Sequence, residues 1–390
     1  MNEQQILEML HDWNLWGGYS VASVARPEYQ GRLASASKAG EVVTVKGVRR
    51  GGKSTLLVQL LRRFVAEGVP AKNTLVINCE DPRFGPPGSS SKMFSEEYAT
   101  LLAGRHLDVP VFPLSFREFL GFRGLEAASP LDWARHRHRI RHLLNEFLEN
   151  GGFPKVALVD AGEKKHLLES YYNDILIKDV QRRFKIRASD KLDFLAKYYL
   201  ANISTVQPCN RVKVPVGLSL DSVERFSGYF ALAGFFHFVR KFSFSLKEQL
   251  LNPRKVYVAD TGLRNAMGFR FSADLGRVME NVVCLELVRR GHEVFYWRSA
   301  KAREVDFVVR AGGRTKEVIQ VCFDPDDPAT LGREMDALAD SLSALKCGRM
   351  SVITGDREGT ELLAGRIKVR FVPLWKWLLG NAPPATGGTQ

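Results

Sequence analysis

One short segment of the sequence restricts the fold strongly. Residues 47–54 read GVRRGGKS, with three glycines, a lysine and a serine at fixed positions. The apolar run EVVTVK (41–46) before it predicts a strand, and STLLVQLLRRFVAE (54–67) after it carries apolar residues at helical spacing. A strand, a glycine-rich turn and a helix in this order predict the first part of a parallel α/β sheet.

The spacing of this segment is G-x-x-x-x-G-K-[ST], the phosphate loop. Its glycines let main-chain N–H groups turn inward around a phosphate, and the following helix directs its positive dipole end to the same point. We therefore expect ATP with Mg²⁺, with Lys53 on the β- and γ-phosphates and the Ser54 hydroxyl on the metal. The predicted nucleotide-binding residues in this segment are Gly47, Arg49, Arg50, Gly51, Gly52, Lys53, Ser54 and Thr55.

Hydrolysis of ATP needs an acidic residue after a second apolar strand, where it holds Mg²⁺ through water and polarises the attacking water. Two segments are candidates. Thr74–Asn78 (TLVIN) is predicted as a strand and is followed by Glu80 and Asp81, while Val156–Asp160 (VALVD) has the same pattern. We favour the first segment, although an ordinary acidic residue at a strand end explains it equally well.

Composition limits the classes of function. A net charge of +13 attracts polyanions, nucleic acid first, although a charge surplus for solubility explains the same value. No apolar run approaches the roughly 18 residues that span a bilayer, and the first residues lack the basic and apolar parts of a signal peptide. The five cysteines form no CxxC pair, which argues against a disulfide framework and fits a cytoplasmic location without membrane contact.

Longer motifs throughout the chain form an ordered set. They include GVRRGGKSTLLVQLL, VINCEDPRF, VFPLSFREFL, NGGFPKV, YYNDILIKDV, FSFSLKEQLLNPRKVYVADTGL, ENVVCLELVRRG, EVDFVV and PLWKWLL. This set resembles an archaeal and bacterial family of AAA-type P-loop ATPases. Members of that family carry a C-terminal domain of unknown function related to PD-(D/E)XK nucleases. The resemblance covers nearly the whole chain.

The resemblance implies an α/β fold with an AAA-like parallel sheet domain, a helical and winged-helix middle and a C-terminal restriction-endonuclease-like α/β domain. Helical spacing in the middle predicts helices at Ala134–Asn150, Lys164–Lys185, Asp190–Asn202 and Leu220–Phe236. The expected segments are a P-loop domain (1–122), a helical lid (123–205), a winged-helix-like segment (206–250), a nuclease-like domain (251–380) and a disordered tail (381–390).

The chain departs from the family pattern at one place. In the family, a long stretch after the EDPRF-like segment carries the Walker B strand, which ends in Asp-Glu. Here Phe84 is followed by three residues, 85–87, and then directly by the GSSSK segment (88–92). ATP binding is therefore expected, while hydrolysis lacks its usual acidic strand. The resemblance also makes Arg105 a residue that senses the γ-phosphate; a surface salt bridge is the alternative role.

The C-terminal part has a partial nuclease pattern. PD-(D/E)XK nucleases place a helix Glu, a strand Asp and a Glu-x-Lys around Mg²⁺. The resemblance assigns these positions to Glu280, Asp306 and Gln320, so that glutamine replaces an acidic ligand. Cys322 stands where the lysine belongs.

The lysine position is therefore unfilled in the sequence pattern, unless Lys301 or Lys316 reaches the site from a loop, and Glu304 is a further candidate ligand.

The sequence predicts two alternative functions for the chain. The first is a nucleotide-binding protein of the AAA ATPase type, which by analogy forms a homo-oligomer. The alternative is a DNA-binding or degenerate nuclease-like protein in which the nucleotide is only a structural ligand.

Overall fold

The computed structural model describes residues 3–81, 83, 106–268, 275–363, 365 and 367–380. The chain divides into two compact units: unit 1 is 1–111 with 182–185, and unit 2 is 112–181 with 186–390. The described residues form helices and strands of both parallel and antiparallel kinds, so the prediction of an α/β protein is confirmed at that level. The five predicted segments divide the chain more finely and stay predictions; the tail, 381–390, lies outside the described residues.

Unit 1 is built around a parallel strand pair. Its elements are helices α1 (Glu3–Trp13), α2 (Pro27–Ser37) and α3 (Lys53–Ala66), strands β1 (Val42–Lys46) and β2 (His106–Pro110), and short 3-10 turns at Leu15–Gly17 and Ala71–Asn73. Strands β1 and β2 pair in register from Val42 opposite His106 to Lys46 opposite Pro110. Buried side chains of α2, α3 and β2 form the core of this unit, among them Tyr29, Leu33, Leu56 and Val109.

The prediction that Thr74–Asn78 is a strand is wrong. These residues belong to no strand in the structure. The side chain of Asn14 replaces a neighbouring strand, because its amide donates to the Val76 carbonyl at 2.9 Å and its carbonyl accepts from the Val76 N–H at 2.6 Å. The strand that does pair with β1 is β2, which the sequence pattern did not indicate.

The first half of unit 2 is helical. Its helices are α4 (Phe116–Phe122), α5 (Pro130–Arg135), α6 (Arg137–Asn150), α7 (Pro154–Leu158), α8 (Ala161–Asp174), α9 (Ser189–Ala201), α10 (Cys209–Val216) and α11 (Leu220–Leu232), with a π-helical segment at Ile175–Arg182. The interpretation of Val156–Asp160 as a strand is wrong, because Pro154 begins a helix there. The predicted helix Ala134–Asn150 is interrupted at His136, which separates α5 from α6.

The second half of unit 2 adds helices to a large mixed sheet. The helices are α12 (Leu246–Leu251), α13 (Thr261–Ala266), α14 (Leu275–Arg289), α15 (Pro328–Leu345) and α16 (Leu374–Gly380). The strands are β3 (Val206–Gln207), β4 (Phe236–Lys241), β5 (Arg254–Val258), β6 (Glu293–Arg298), β7 (Glu304–Ala311), β8 (Arg314–Cys322), β9 (Met350–Thr354), β10 (Gly359–Leu363) and β11 (Ile367–Pro373).

Within the described residues these strands form one sheet in the order β10-β11-β9-β8-β7-β6-β4-β5-β3. The pairs β11–β9, β9–β8 and β4–β6 are parallel, and the other neighbours are antiparallel. The central strands have buried side chains on both faces, as Val305, Val308 and Val318 show. The side chains of Lys255 in β5 and Asp306 in β7 therefore lie in a dry environment.

One buried carboxylate joins two distant loops of unit 2. The N–H of Gly152 donates to one oxygen of Asp260 at 2.7 Å, and the N–H of Gly262 donates to the other at 2.9 Å. Gly151 has a φ of +75°, and a Cβ at this position would lie 1.7 Å from the Asp260 carboxylate. The Gly151-Gly152 turn therefore needs glycine at its first position for both conformation and space.

Burial raises the pKa of Asp260 from its ordinary 3.8 to about 7. The folded protein then keeps the Asp260 proton over a pH window in which the unfolded chain has lost it, so stability falls as pH rises through that window. From about pH 5 to about pH 7, we expect wild type to lose up to about 1.4 kcal/mol per pH unit of unfolding free energy relative to Asp260→Asn. Urea unfolding at each pH measures this difference.

The exposed Asp221 offers a matched control, because its side chain is 82% exposed. The variant Asp221→Asn should follow the wild-type pH dependence. Parallel curves for wild type and Asp260→Asn would contradict the raised pKa of Asp260.

Candidate functional site

The loop between β1 and α3 has three residues with positive φ angles. Gly47, Arg50 and Gly52 have φ angles of +150°, +67° and +93°. Gly47 must be glycine, because a Cβ there would lie 1.9 Å from the carbonyl oxygen of Val111. Helix α3 then begins at Lys53 with no side-chain cap from Gly52 and no acidic residue in its first turn. The first N–H groups of this helix thus point to a place where a phosphate can accept from them.

Two cations hold this loop. The Lys53 ammonium folds over it and donates to the carbonyls of Gly47 and Val48, each at 2.9 Å. The guanidinium of Arg26, which is buried, donates to the Gly51 carbonyl at 3.0 Å and lies over the ring of Tyr29 at 4.3 Å. The Arg26 guanidinium thus fixes the Gly51 carbonyl. The sequence pattern did not identify Arg26, because it lies 25 residues before Gly51.

The other predicted residues of the loop are placed as follows. Ser54 is exposed at the start of α3, and Thr55 is half-buried beside it. Arg49 forms an ion pair with Glu80 at 2.9 Å. Arg105 lies outside the described residues.

Both acidic candidates for hydrolysis have partners in unit 1. Glu80 is held by Arg49. Asp81 is buried and accepts from the indole N–H of Trp13 at 2.8 Å and from the guanidinium of Arg83, whose hydrogen bonds lower the pKa of this carboxyl. Asp81 therefore ties the N-terminal helix to the segment after Thr74–Asn78 and is not placed as a water-polarising group.

A second polar centre lies in unit 2, where three carboxylates surround one ammonium. Lys255 of β5 donates to Glu280 of α14 at 2.9 Å, and to Glu304 and Asp306 of β7 at 2.7 Å and 2.9 Å. Lys255 is 1% exposed. The hydroxyl of Tyr257, two residues along β5, donates to the same Glu280 oxygen at 2.7 Å. We call these five side chains the Lys255 cluster.

The structure brings together all three predicted nuclease-like residues. The Gln320 carbonyl accepts from the main-chain N–H of Asp306 at 3.1 Å, and its amide donates to Glu334. The second carboxylate oxygen of Asp306 accepts from the N–H of Val321 at 3.0 Å. Gln320 thus positions Asp306 and does not direct its oxygen to the centre of the cluster.

The lysine of this centre comes from an unexpected strand. Cys322 lies in the apolar core, and both Lys301 and Lys316 are exposed. Lys255 fills the position from β5, and Glu304 is part of the cluster as the sequence allowed. The run RKVYVAD carried a usable signal, because a lysine followed directly by the apolar and aromatic residues of a buried strand has to find an anionic partner.

Burial decides the protonation of the cluster. Burial and then the neighbouring Asp306 carboxylate raise the pKa of Glu280 to about 8. Burial lowers the pKa of Lys255, but the attraction of Asp306, Glu280 and Glu304 outweighs it and raises that pKa well above its ordinary value. The raised pKa favours the charged form of Lys255. Over the described residues, no group of three or more His, Cys, Asp or Glu side chains is arranged to hold a metal ion.

These observations define a mixed α/β protein with a glycine-rich loop before a helix in one unit and a lysine–carboxylate cluster in the other. Two family models match it: a domain of unknown function (DUF8612) at residues 141–275 and another (DUF4143) at residues 275–375. The second domain is found in AAA-ATPase-like proteins. Neither model covers the phosphate loop.

Relatives occur in archaea and bacteria. The chain is 33% identical over 306 residues to an uncharacterized protein of Methanocaldococcus jannaschii, an alignment that covers 75% of this chain and 68% of that protein. It is 23% identical over 364 residues to an uncharacterized protein of Haemophilus influenzae, with 78% and 88% covered. The chain therefore belongs to the family of the archaeal protein. No solved structure matches it.

The described helices include none that is both long enough and apolar enough to cross a membrane.

Arg26 offers a test of the loop geometry. We expect Arg26→Leu to destabilise the protein by about 1–3 kcal/mol, because the buried Gly51 carbonyl loses its charged donor. Urea unfolding measures the loss, and amide hydrogen exchange at residues 51–53 should rise. Arg32→Leu is the control, since Arg32 also lies over the Tyr29 ring, at 5.6 Å, and is only half-buried. Equal effects of the two variants would contradict a specific role for Arg26.

Proposed function

We propose that this chain binds ATP through the loop between β1 and α3. The observation that carries the proposal is the uncapped start of α3, with Lys53 folded over the loop carbonyls. In this role the Lys53 ammonium exchanges its carbonyl partners for the β- and γ-phosphates, and the first N–H groups of α3 donate to the phosphate oxygens. Membership of a domain family found in AAA-ATPase-like proteins supports the same function.

The residues present fit a magnesium-bound triphosphate in part. Ser54 is exposed at the first turn of α3, where its hydroxyl can ligate Mg²⁺. When bound, the ion neutralises charge on the phosphate oxygens. Ser54 would then be a neutral ligand of the Mg²⁺ ion, and Lys53 would contact the phosphates directly as a cation.

We further propose that turnover of ATP is slow. Among the described residues, Glu80 and Asp81 are the favoured candidates for the role of the Walker B acidic residue. Both carry ion pairs, with Arg49 and Arg83 respectively. The lowered pKa of Asp81 makes it a poor acceptor for the proton of an attacking water, and the Glu80 carboxylate is held by its ion pair with Arg49.

Two lysines of unit 1 provide a matched test. Lys53→Ala should weaken ATP binding at least tenfold, measured by calorimetry with Mg²⁺ on the full chain, because it removes the cation that contacts the phosphates. Lys46→Ala is the control, since Lys46 ends β1 and its exposed ammonium pairs with Asp108 at 2.6 Å. Equal affinities of wild type and Lys53→Ala would refute the proposal.

Nucleic-acid binding is the second candidate, and the order of elements in unit 2 favours it. Helix α9, strand β3, helices α10 and α11, and strands β4 and β5 follow in the order of a winged helix. Gly217 joins α10 to α11 in the left-handed conformation with φ of +64°. A net charge of +13 suits a polyanionic partner. Helix α11 itself has no net positive charge, because its one basic residue, Arg225, pairs with Asp221 at 3.4 Å and is also accompanied by Glu224.

The basic residues of α10 test this candidate. Replacing Arg211 and Lys213 together by alanine should weaken binding to duplex DNA and reduce the slope of log affinity against log salt by about 2, since two phosphate contacts are lost. Fluorescence anisotropy measures both quantities. Replacing the exposed Lys165 and Lys178 removes the same charge elsewhere and should leave the slope unchanged. No binding by wild type at low salt would exclude this function.

A further inference from the structure

The Lys255 cluster connects the two domains that the family models define. Lys255 and Tyr257 lie in the first matched segment, 141–275. Glu280, Glu304 and Asp306 lie in the second, 275–375. The cation of one domain thus stands among the carboxylates of the other.

The donors and acceptors of the cluster are used by the protein itself. The Lys255 ammonium has three N–H groups, and each meets one carboxylate at 2.7–2.9 Å. The second oxygen of Asp306 is taken by the N–H of Val321, and the Gln320 carbonyl by the N–H of Asp306. A divalent cation needs several oxygens directed at one point, and here those oxygens converge on nitrogen.

We infer that the Lys255 ammonium takes the place of a divalent cation in this nuclease-like centre, which makes the cluster a metal-free joint between the two matched domains. Burial supports the inference. The side chain of Lys255 is 1% exposed and those of Glu280 and Asp306 are 11% exposed, so these charges depend on one another for compensation. Glu304 is the most open member at 29%.

Removal of Lys255 distinguishes a cluster held by an ammonium from a cluster that holds a metal ion. Removal of the ammonium leaves three carboxylates facing one another in a dry centre. That arrangement is unstable alone and is an oxygen-rich site for a hard divalent cation. The wild-type protein should therefore bind no metal at the cluster, and a variant without the ammonium should gain this property.

The experiment uses the full chain without nucleotide and Mn²⁺ as the probe, followed by electron paramagnetic resonance. Four proteins are compared: wild type, Lys255→Met, Lys255→Arg and the double variant Lys255→Met with Asp306→Asn. We expect Lys255→Met to bind Mn²⁺ at least tenfold more tightly than wild type or Lys255→Arg. The double variant should lose the added site.

Thermal unfolding provides the second measurement. Lys255→Met should melt at a lower temperature than wild type and should recover part of this loss when Mn²⁺ is added. Mn²⁺ should not raise the melting temperature of wild type by a comparable amount. The double variant should melt above Lys255→Met, because it removes one carboxylate together with the ammonium.

Three results would overturn the inference. The first is a wild-type protein that binds Mn²⁺ as tightly as Lys255→Met does, since the cluster would then be a metal centre with a lysine beside it. The second is a folded Lys255→Met that neither gains Mn²⁺ nor loses stability. The third result concerns the case in which Lys255→Met does not fold. If the double variant also fails to fold, Lys255 does not act by compensating the carboxylates.

Discussion

A single buried ammonium group, that of Lys255, holds three elements of unit 2 in place. It draws together β5, α14 and β7 through carboxylates that are 25, 49 and 51 residues away in the sequence. Burying a charge costs several kcal/mol unless partners compensate it, and removal of one partner from such a group typically costs about 3–5 kcal/mol. The strand, the helix and the next strand therefore cannot shift independently. Tyr257 and Gln320 complete the arrangement, since Tyr257 donates to the Glu280 oxygen that Lys255 contacts and Gln320 accepts from the main-chain N–H of Asp306.

The two charged centres of the protein differ in a way that bears on function. The phosphate loop is open: Ser54 is exposed, the helix behind it is uncapped, and its cation contacts neutral carbonyls that it can leave. The Lys255 cluster is closed, with its cation among anions that it cannot leave without cost. We propose that a ligand of high negative charge binds at the first centre. The second centre has the properties of a structural joint.

Local patterns made part of this structure predictable from the sequence. The strand Val42–Lys46 and the helix Lys53–Ala66 follow from apolar spacing on either side of the glycines, and Glu280 and Asp306 follow from a family pattern. Contacts between distant residues were not predictable. Thr74–Asn78 has strand-like residues, but the side chain of Asn14 takes the hydrogen bonds that a neighbouring strand would have made. Lys255 was missed because the family pattern places the lysine two residues after Gln320, on β8, whereas the structure supplies it from β5.

The charge state of Lys255 can be observed by nitrogen-15 NMR of the lysine side chains, with Lys255→Arg used to assign the signal. The account predicts one protected, fully protonated ammonium signal from Lys255 at neutral and alkaline pH, unchanged when millimolar Mg²⁺ is added. An unprotected signal, or one that shifts or disappears on addition of Mg²⁺, would contradict the claim that this lysine serves as the cation of the cluster.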